Sequence, residues 1–386
     1  MNVGGFIAGR LRFKGRVAVW ATAISFFVII IAVAVAGGFS REIRAGVAEV
    51  SGDILISDRP DGMFDESDPI NAHPSFLEDI ISLKGVAGMK AVVYRTGILQ
   101  NGDDIRGAIF KGDGAQLESG CVSLPSKLAE ELKLSVGDKV KVWFVSQSIK
   151  NRTFEVWDIY DSLIDSDEAL VVRVCAEDLR KLNGWNEEDA SAIEVELLPS
   201  FRGEKEMKRL KEEIGSRVCL STDEEENGLM VSSARDRFPQ LFDWLELLDF
   251  NVTVILVLMT LVAGFNRVSG LLILLFRSTS TIGTLKTLGM SDRAIAGVFL
   301  RTGARISGTG LAIGNAAALL LCAVQGRTHL LKLDPANYFV SYVPVDVNLP
   351  EILLYDAAAF IAIQLLLLIP SLFISKVDPS VTVKAE

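Results

Sequence analysis

Side chains that could carry acid–base, nucleophilic or metal chemistry are present, but their spacing matches no catalytic motif. The chain has two histidines, His73 and His329, and four widely separated cysteines without a C-x-x-C pair, so we expect no zinc site. Neither G-x-S-x-G nor H-E-x-x-H occurs. Acidic pairs such as Asp165 and Asp167 lie in polar turns of an acid-rich region. We therefore expect no enzyme active site, metal or cofactor in this chain.

Phosphate-binding and nucleic-acid-binding patterns are missing as well. The sequence contains no G-x-x-x-x-G-K-[ST], so it cannot hold ATP by a P-loop. The net charge is −10, and residues 40–249 alone carry 42 acids against 25 bases. A block of that charge does not bind nucleic acid through counterion release, and no nucleic-acid partner is expected.

Apolar residues are segregated along the chain in a pattern typical of a membrane protein. The 386 residues are 49% apolar, and the mean hydropathy is +0.35. Four apolar runs, at 17–39, 250–276, 303–325 and 351–375, are long enough to cross the ~30 Å hydrocarbon core as helices. A cleavable signal peptide is the alternative for the first run, which contains Ala32-Val33-Ala34, but the run is longer than a signal h-region.

The distribution of basic residues predicts the orientation of these spans. Segment 1–16 carries four bases and no acid, which places it in the cytoplasm. Because the number of spans is even, the tail 376–386 lies on the same, cytoplasmic side of the membrane as segment 1–16. The loop 277–302 has four bases and one acid, which also fits the cytoplasmic side. Segments 40–249 and 326–350 are then extracytoplasmic, and both termini are cytoplasmic.

The extracytoplasmic block 40–249 alternates strand and helix signals and is predicted to be an α+β domain. Asn101-Gly102-Asp103-Asp104 lies between two alternating runs and predicts a hairpin. Segment 125–134 predicts a short amphipathic helix, 139–145 a strand, and 50–57 a strand that leaves the first span. Segment 235–251 predicts an amphipathic helix that continues into the second span, either as a structural stalk or as a surface for an exported substrate or carrier.

The loop 277–302 predicts two short helical stretches. Ile282, Leu285 and Leu288 fall on one face of the first stretch, Gly289-Met290 interrupts it, and Ser291 is a good N-cap for the second. Two interpretations remain for this loop, which are a membrane-surface segment and a docking helix for a cytoplasmic partner.

Several segments, in this order, resemble the FtsX-like ABC permeases, and most closely the lipoprotein-releasing (LolC/LolE-type) subunits. They are I-G-T-L-K-T-L-G-M-S between spans two and three, L-P-S-K-L-A-E-E-L-K-L-S-V-G-D-K-V-K-V at 124–142, R-T-F-E-V-W-D-I-Y from 152, F-D-W-L-E-L-L-D-F-N-V from 242, and V-D-P-S at 377–380. The resemblance covers nearly the whole chain. It implies four transmembrane helices with a large α+β periplasmic, MacB-like core domain inserted between helices 1 and 2.

The resemblance also implies a transport mechanism. A separate cytoplasmic ABC ATPase dimer, which holds ATP and Mg²⁺, would bind a coupling helix in this chain and drive extraction of lipoproteins from the inner membrane to a periplasmic carrier. ATP-driven motion of the first two spans would reach the periplasmic domain through segments 40–50 and 238–251. The residues assigned to this coupling helix are Ile282, Gly283, Leu285, Lys286, Leu288, Gly289, Met290 and Arg293.

Residues inside the predicted spans indicate a cavity for lipid acyl chains and a site of close helix packing. A cavity for acyl chains would be lined by Phe26, Phe27, Ile30, Val257 and Met259. Gly310-x-x-x-Gly314 permits close helix contact. Since four spans are few for an enclosed path, we expect a second copy or a related permease beside this chain, with membrane lipids around both.

Other functions remain as alternatives. An FtsX-like or MacB-like permease could transmit force for peptide or drug export or for cell-envelope regulation, without lipoprotein cargo. A membrane-anchored extracytoplasmic sensor would need a cytoplasmic signalling domain, and the longest predicted cytoplasmic segment has fewer than 30 residues. A membrane enzyme is disfavoured because no catalytic constellation is present.

Overall fold

A computed structural model describes residues 16–58, 68–113, 117–145, 149–162, 170–221, 226–334 and 338–371. The basic residues before position 16, the pair Asp165 and Asp167, the end of the fourth predicted span and the tail 376–386 lie outside these ranges. The chain divides into two compact units. We call Met1–Phe39, Leu245–Leu331 and Val343–Glu386 the helical unit, and Ser40–Trp244 with Lys332–Tyr342 the sheet unit.

The described elements follow one another along the chain in a mixed order. The α-helices are α1 (Arg16–Ser51), α2 (Leu77–Ile81), α3 (Ser126–Glu131), α4 (Ala176–Asn183), α5 (Glu204–Cys219), α6 (Ala234–Arg237), α7 (Pro239–Arg277), α8 (Thr279–Thr287), α9 (Asp292–Thr328), α10 (Leu349–Leu366) and α11 (Leu368–Ser371). The strands are β1 (Ile54–Ser57), β2 (Ile70–Asn71), β3 (Val86–Asn101), β4 (Asp104–Gly112), β5 (Cys121–Pro125), β6 (Lys139–Val145), β7 (Ile149–Tyr160), β8 (Val171–Val174), β9 (Asp189–Ala190), β10 (Ala192–Leu197) and β11 (Met230–Ser233).

Four helical segments are long and apolar enough to cross a membrane. They are Val17–Ser51, Pro239–Arg277, Asp292–Thr328 and Leu349–Ser371. A helix satisfies its own backbone hydrogen bonds, which is the condition for crossing hydrocarbon. Together with the mixed α/β content of the sheet unit, these helices confirm the predicted fold class of a four-span α+β membrane protein.

One long strand organises the sheet unit. The strand order is β11-β1-β10-β3-β4-β8-β5-β7-β6, and β3 also pairs with β6. The first part of β3 pairs with β10, from Val86 with Leu197 to Val92 with Ala192. Its second part pairs with β4, ending where Asn101 faces Asp104. The extra β3–β6 pairing closes six strands into a ring, while the other three strands extend from it as an open sheet.

Three aromatic rings fill the centre of the closed ring. Phe110, Phe144 and Phe154 are buried, and the Phe110 and Phe144 rings meet edge to face with centroids 5.0 Å apart. A Cβ atom at Gly97 of β3 would lie 2.7 Å from the Phe110 ring. Glycine is therefore required at position 97, because any side chain would displace the aromatic core.

The open part of the sheet is covered by helices α2 and α5. Met207, Leu210, Ile214 and Val218 recur every three or four residues along α5, and all four are buried against the sheet core. The amphipathic pattern of this helix therefore fixes which face it turns inward.

The predicted strand at 50–57 is wrong in its first half. Helix α1 continues to Ser51, and the strand β1 begins only at Ile54. The Val50 carbonyl oxygen accepts hydrogen bonds from the Lys111 ammonium and the Tyr94 hydroxyl. These side chains satisfy the end of the helix and override the β-propensity of the local sequence.

A buried carboxylate holds two loops of the sheet unit together. Glu226 accepts hydrogen bonds from the Ser75 backbone N–H at 2.9 Å and from the hydroxyls of Ser75 and Ser221. Burial acts to raise the pKa of Glu226, but these hydrogen bonds together lower it below the ordinary value of 4.5. The carboxylate is therefore the form that the fold stabilises.

We expect Glu226→Gln to lower the free energy of unfolding at pH 7 by about 1–2 kcal/mol, because an amide cannot accept all of these bonds. A depressed folded-state pKa contributes stability above pH 4.5 and loses it as the pH falls through the folded pKa. Thermal unfolding at pH 7 and pH 3.5 should show the gap between wild type and variant shrinking in acid. An equal gap at both pH values would contradict this account, and Glu130→Gln, at an exposed position, is the control.

Candidate functional site

The candidate site is the segment that joins the second and third spanning helices. Helix α7 ends at Arg277, and α8 follows it as a nine-residue helix. Gly289 then adopts a left-handed backbone with φ of +86°, a conformation suited to glycine. The Ser291 hydroxyl accepts a hydrogen bond from the Ala294 N–H, which caps the start of α9.

This geometry corrects one part of the prediction. The break at Gly289-Met290 and the cap at Ser291 are present, but the second predicted short helix is the first turns of α9, which runs without interruption to Thr328. A continuous helix needs only one N-terminal cap, and the described structure has no break between Asp292 and Thr328.

A core of its own holds the segment in place, which the sequence did not predict. Ile282 is buried in a cluster with residues of α7, α9 and the junction between α10 and α11, and Leu285 and Met290 pack against that cluster. The other buried members are Leu271, Leu274, Leu275, Ile295, Phe299 and Leu367. The segment is therefore a rigid part of the helical unit.

Of the eight residues assigned to the coupling helix, five are at least partly buried and three are exposed. Ile282 and Gly283 are buried, and Leu285, Lys286 and Met290 are half-buried. The three exposed residues are Leu288, Gly289 and Arg293.

The exposed apolar tip of the segment is Leu288. Its side chain is 77% exposed, immediately before the Gly289 turn. The Lys286 ammonium lies 3.0 Å from Asp292 Oδ1 across the turn, so an ion pair joins the end of α8 to the start of α9. The surface of this turn therefore presents one large apolar side chain together with the exposed cation Arg293.

Four of the five residues predicted to line an acyl cavity are divided between two packed clusters, and the fifth is exposed. Phe26 is buried in one cluster, against which Met259 packs. Ile30 is buried in a second cluster, against which Phe27 packs. Val257 is 56% exposed. Of the five, only Val257 presents most of its surface outward, and the acyl cavity stays a prediction.

The predicted glycine pair of α9 packs against α1 of the same chain. A Cβ atom at Gly310 would lie 2.8 Å from the Thr22 Cβ. A Cβ atom at Gly314 would collide with the Ala23 carbonyl oxygen and lie 3.0 Å from the Phe26 Cβ. The two glycines let the helix backbones approach. Because α1 fills this face, the motif gives no support for a dimer interface.

We expect Gly314→Ala to destabilise the helical unit by about 1–3 kcal/mol, because the added methyl group meets backbone that cannot move aside. Gly308→Ala is the matched control, since a Cβ atom at Gly308 has nothing within 4 Å. Thermal unfolding of both variants in detergent measures the difference. Equal midpoints for the two variants would show that the close approach is absent.

Among the described residues of the helical unit, one basic and one acidic side chain are buried. Arg267 of α7 is 4% exposed, and its Nε and Nη2 have no hydrogen-bond partner among the described residues. A cavity of about 10 Å³ beside it, which Thr302 also lines, has room for about one water molecule. Asp356 of α10 is buried and accepts a hydrogen bond from the Asn315 amide. Sequence analysis did not single out Asp356, although an acid inside an apolar run is itself a signal.

A buried ionic cluster lies in the sheet unit, where β3, β4 and β10 face the end of α1. The Lys111 ammonium lies 2.8 Å from Glu194 Oε1, and the Tyr94 hydroxyl also donates to Glu194. Burial raises the pKa of Glu194 more than Lys111 lowers it, and burial raises the pKa of Tyr94 well above its ordinary value. The cluster is thus strongly desolvated and depends on its internal bonds.

The same cluster holds the C-terminal end of α1. The Lys111 ammonium donates to the carbonyl of Glu49 at 2.9 Å. The Arg237 guanidinium donates to the carbonyls of Ser51 at 3.0 Å and Gly52 at 2.6 Å. Burial lowers the pKa of Arg237 to about 10, so it remains a cation at neutral pH. Two cations therefore satisfy the unpaired carbonyls and the negative end of the helix dipole.

Arg237 also lies two residues before α7 begins at Pro239. It donates to the Ser232 carbonyl at 2.8 Å, which ties it to β11. We call Lys111, Glu194, Tyr94 and Arg237 the junction cluster. Within the sheet unit, it fixes the end of the first spanning helix to the residues that lead into the second.

One family model and two curated relatives match parts or most of this chain. Residues 253–379 match the FtsX-like permease C-terminal domain. The lipoprotein-releasing system transmembrane protein LolC of Neisseria meningitidis serogroup B is 22% identical, over 98% of this chain and 95% of that protein. The LolC protein of Xylella fastidiosa is 21% identical over the same shares. The chain is similar to both from end to end.

Two solved structures also align with this chain. The periplasmic region of MacB from Actinobacillus actinomycetemcomitans is 13% identical and covers 51% of the chain and 95% of that structure, with a TM-score of 0.29. The extracellular domain of the noncanonic ABC-type transporter YknZ from Gram-positive bacteria is 14% identical and covers 47% and 99%, also with a TM-score of 0.29.

Proposed function

We propose that this ABC transporter permease, whose C-terminal part matches the FtsX-like permease domain, extracts lipoproteins from the inner membrane and releases them to a periplasmic carrier. The observation that carries the proposal is its similarity, over nearly the full length of both proteins, to two transmembrane proteins of lipoprotein-releasing systems. Similarity over the whole chain includes the spans, the sheet unit and the connecting segment alike.

A separate ATPase is required by this proposal. The sequence has no P-loop, so ATP and Mg²⁺ are held by a partner ABC ATPase dimer. We assign its docking to the tip formed by Leu288, Gly289 and Arg293, because these are the exposed members of the coupling segment. The buried Ile282 anchors the tip to the helical unit, so a push on the tip is passed to the spanning helices.

The orientation follows from charge. The connecting segment 277–302 carries four bases and one acid, which supports a cytoplasmic position for it and for the docking tip. The sheet unit is then periplasmic, and both termini are cytoplasmic. In this arrangement the ATPase works on one side of the membrane and the carrier on the other.

Motion would reach the periplasmic side through two helices. The boundary between the helical unit and the sheet unit falls within α1, after Phe39, and within α7, after Trp244. The junction cluster bonds the end of α1 to residues just before α7, so the two helices are linked by Arg237 as well as by the sheet. The helices would therefore transmit force as a linked pair.

We assign the surface for the cargo or for a second permease to α7. Its most apolar stretch is only 11% buried, and Val257 and Phe265 are among its exposed side chains. Acyl chains of a lipoprotein, or a second copy or related permease, would cover this face. The glycine pair of α9 is excluded from that role because α1 occupies it.

Co-purification tests the proposal. The tagged full chain is extracted in mild detergent, and bound proteins and lipids are identified by mass spectrometry. We expect an ABC ATPase together with triacylated lipoproteins. An ATPase without lipoproteins would instead support a force-transmitting permease for another substrate or signal. Absence of any ATPase would contradict the transporter assignment and favour a membrane-anchored sensor.

A further inference from the structure

The sheet unit contains a cavity of about 230 Å³ that none of the sites above uses. Its walls come from α5, from the turn at Ser233–Asp236 and from single side chains of α1 and α7, which are Arg44 and Phe242. All of these wall residues belong to the sheet unit. The cavity therefore lies where the two helices that lead to the membrane begin or end within this unit.

The cavity wall is cationic in a strongly acidic domain. Its four bases outnumber its two acids, giving the wall a net charge of +2, whereas residues 40–249 have a net charge of −17. Asp236 Oδ2 is bonded to the Lys211 ammonium at 2.7 Å, and Glu204 is bonded to Arg235. Both wall carboxylates are thus paired within the wall, and Arg235 also lies 3.9 Å from Asp243, which does not line the cavity. The wall itself keeps its net charge of +2, which favours an anion.

One side of the cavity is apolar. Met207 and Phe242 both line it, and each is 5% exposed. The Arg44 guanidinium carbon lies 5.1 Å from the Phe242 ring centroid, and the guanidinium donates to the Ser40 hydroxyl at 3.1 Å and the Arg202 carbonyl at 3.0 Å. The cavity therefore combines a positioned cation, Arg44, with the apolar side chains of Met207 and Phe242. This combination suits a ligand that has an anionic group attached to a hydrocarbon chain.

We propose that this cavity binds the phosphate headgroup of an anionic membrane lipid. Arg44 and Lys208 face the phosphate, and the first methylene groups of the lipid contact Met207 and Phe242. A lipid is favoured over free phosphate for two reasons. Free phosphate leaves the apolar side uncovered, and the wall residues are close in sequence to the apolar runs. Arg44 follows the run 17–39 by five residues, and Phe242 precedes the run 250–276 by eight.

This site is independent of the cargo in the proposed function. Its occupant would bridge α1, α5 and the start of α7, and would therefore favour the arrangement of helix ends found in this structure. The inference adds an anionic-lipid site to the permease whether the transported substrate is a lipoprotein or another molecule.

Native mass spectrometry of the full chain in detergent tests the site. Dioleoyl phosphatidylglycerol is titrated against wild type, Lys208→Glu and the matched control Lys205→Glu. Lys205 is exposed on the same helix but does not line the cavity. We expect one tightly held lipid in wild type and in the control, and at least fivefold weaker binding for Lys208→Glu. Met207→Trp, which fills the apolar side without changing charge, should also weaken binding at least fivefold, provided that thermal unfolding shows it folded.

Three outcomes would overturn the proposal. Equal binding of phosphatidylcholine and phosphatidylglycerol would show that the anionic headgroup is not recognised. Saturation by inorganic phosphate with equal affinity, unaffected by Met207→Trp, would identify the site as one for a free anion. Equal effects of Lys208→Glu and Lys205→Glu would place the lipid elsewhere.

Discussion

Leu288→Asp is expected to abolish stable association with the ATPase. The side chain is the exposed apolar tip of a rigid turn, and a charged group placed in a partner's apolar pocket costs at least about 2 kcal/mol, or about 30-fold in affinity. The variant should fold normally, because the side chain contributes little to the core of the helical unit. Quantitative co-purification from equal amounts of membrane protein measures the loss.

Two comparisons make the Leu288 experiment specific. Val136→Asp introduces the same charge at another exposed apolar position, 61% exposed in the sheet unit, and should leave ATPase recovery unchanged. Leu285→Asp should lower recovery only together with thermal stability, because Leu285 packs against the core. Normal recovery of the ATPase with Leu288→Asp would show that this tip does not form the docking surface.

Arg237→Ala is expected to produce the largest loss of stability, about 3–5 kcal/mol, because it removes the donor to the carbonyls of Ser51, Gly52 and Ser232, and a buried acceptor left unpaired costs about 1–3 kcal/mol. Thermal unfolding of the full chain should show a midpoint lowered by several degrees. Arg237→Lys should recover only part of the loss, since one ammonium group cannot reproduce the forked geometry of a guanidinium.

Arg106→Ala provides the control for a cation at the surface. Arg106 pairs with Glu131 at 2.7 Å, but its side chain is 54% exposed. Exposed pairs contribute about 0–1 kcal/mol, so this variant should unfold almost like wild type. If Arg237→Ala had an equally small effect, the junction cluster would not stabilise the ends of the two helices.

Local signals account for the parts of the fold that sequence analysis predicted. The hairpin at Asn101-Gly102-Asp103-Asp104 forms with Asn101 opposite Asp104, because the turn residues act within a few positions of one another. The strand at 139–145 forms with the predicted bounds. The turn at Gly289 and the cap at Ser291 are present for the same reason.

The buried ionic residues could not be predicted in this way. Glu194 lies in an alternating strand, A-I-E-V-E-L, where an acid normally indicates the solvent face. It is buried because Lys111 and Tyr94, distant in sequence, meet it there. The burial of Glu194 therefore depends on tertiary contacts and does not follow from the pattern of its own strand.

Contacts with residues distant in sequence also decide which residues of the coupling segment are buried and which are exposed. Ile282 and Leu288 both belong to the predicted apolar face, yet Ile282 is buried and Leu288 is 77% exposed. The difference depends on Phe299 and Leu367, which other helices supply. In the spans, where nearly every residue is apolar, periodicity does not identify the packed face, so it does not show that Phe26 and Ile30 are buried in two different clusters.

Depletion of this chain in its native host tests whether it releases lipoproteins. Inner and outer membranes are separated by density, and mature triacylated lipoproteins are quantified in each by mass spectrometry. We expect lipoproteins destined for the outer membrane to accumulate in the inner membrane, and wild-type protein, but not Leu288→Asp, to restore their release. An unchanged distribution of lipoproteins after complete depletion would contradict lipoprotein release as the function of this protein.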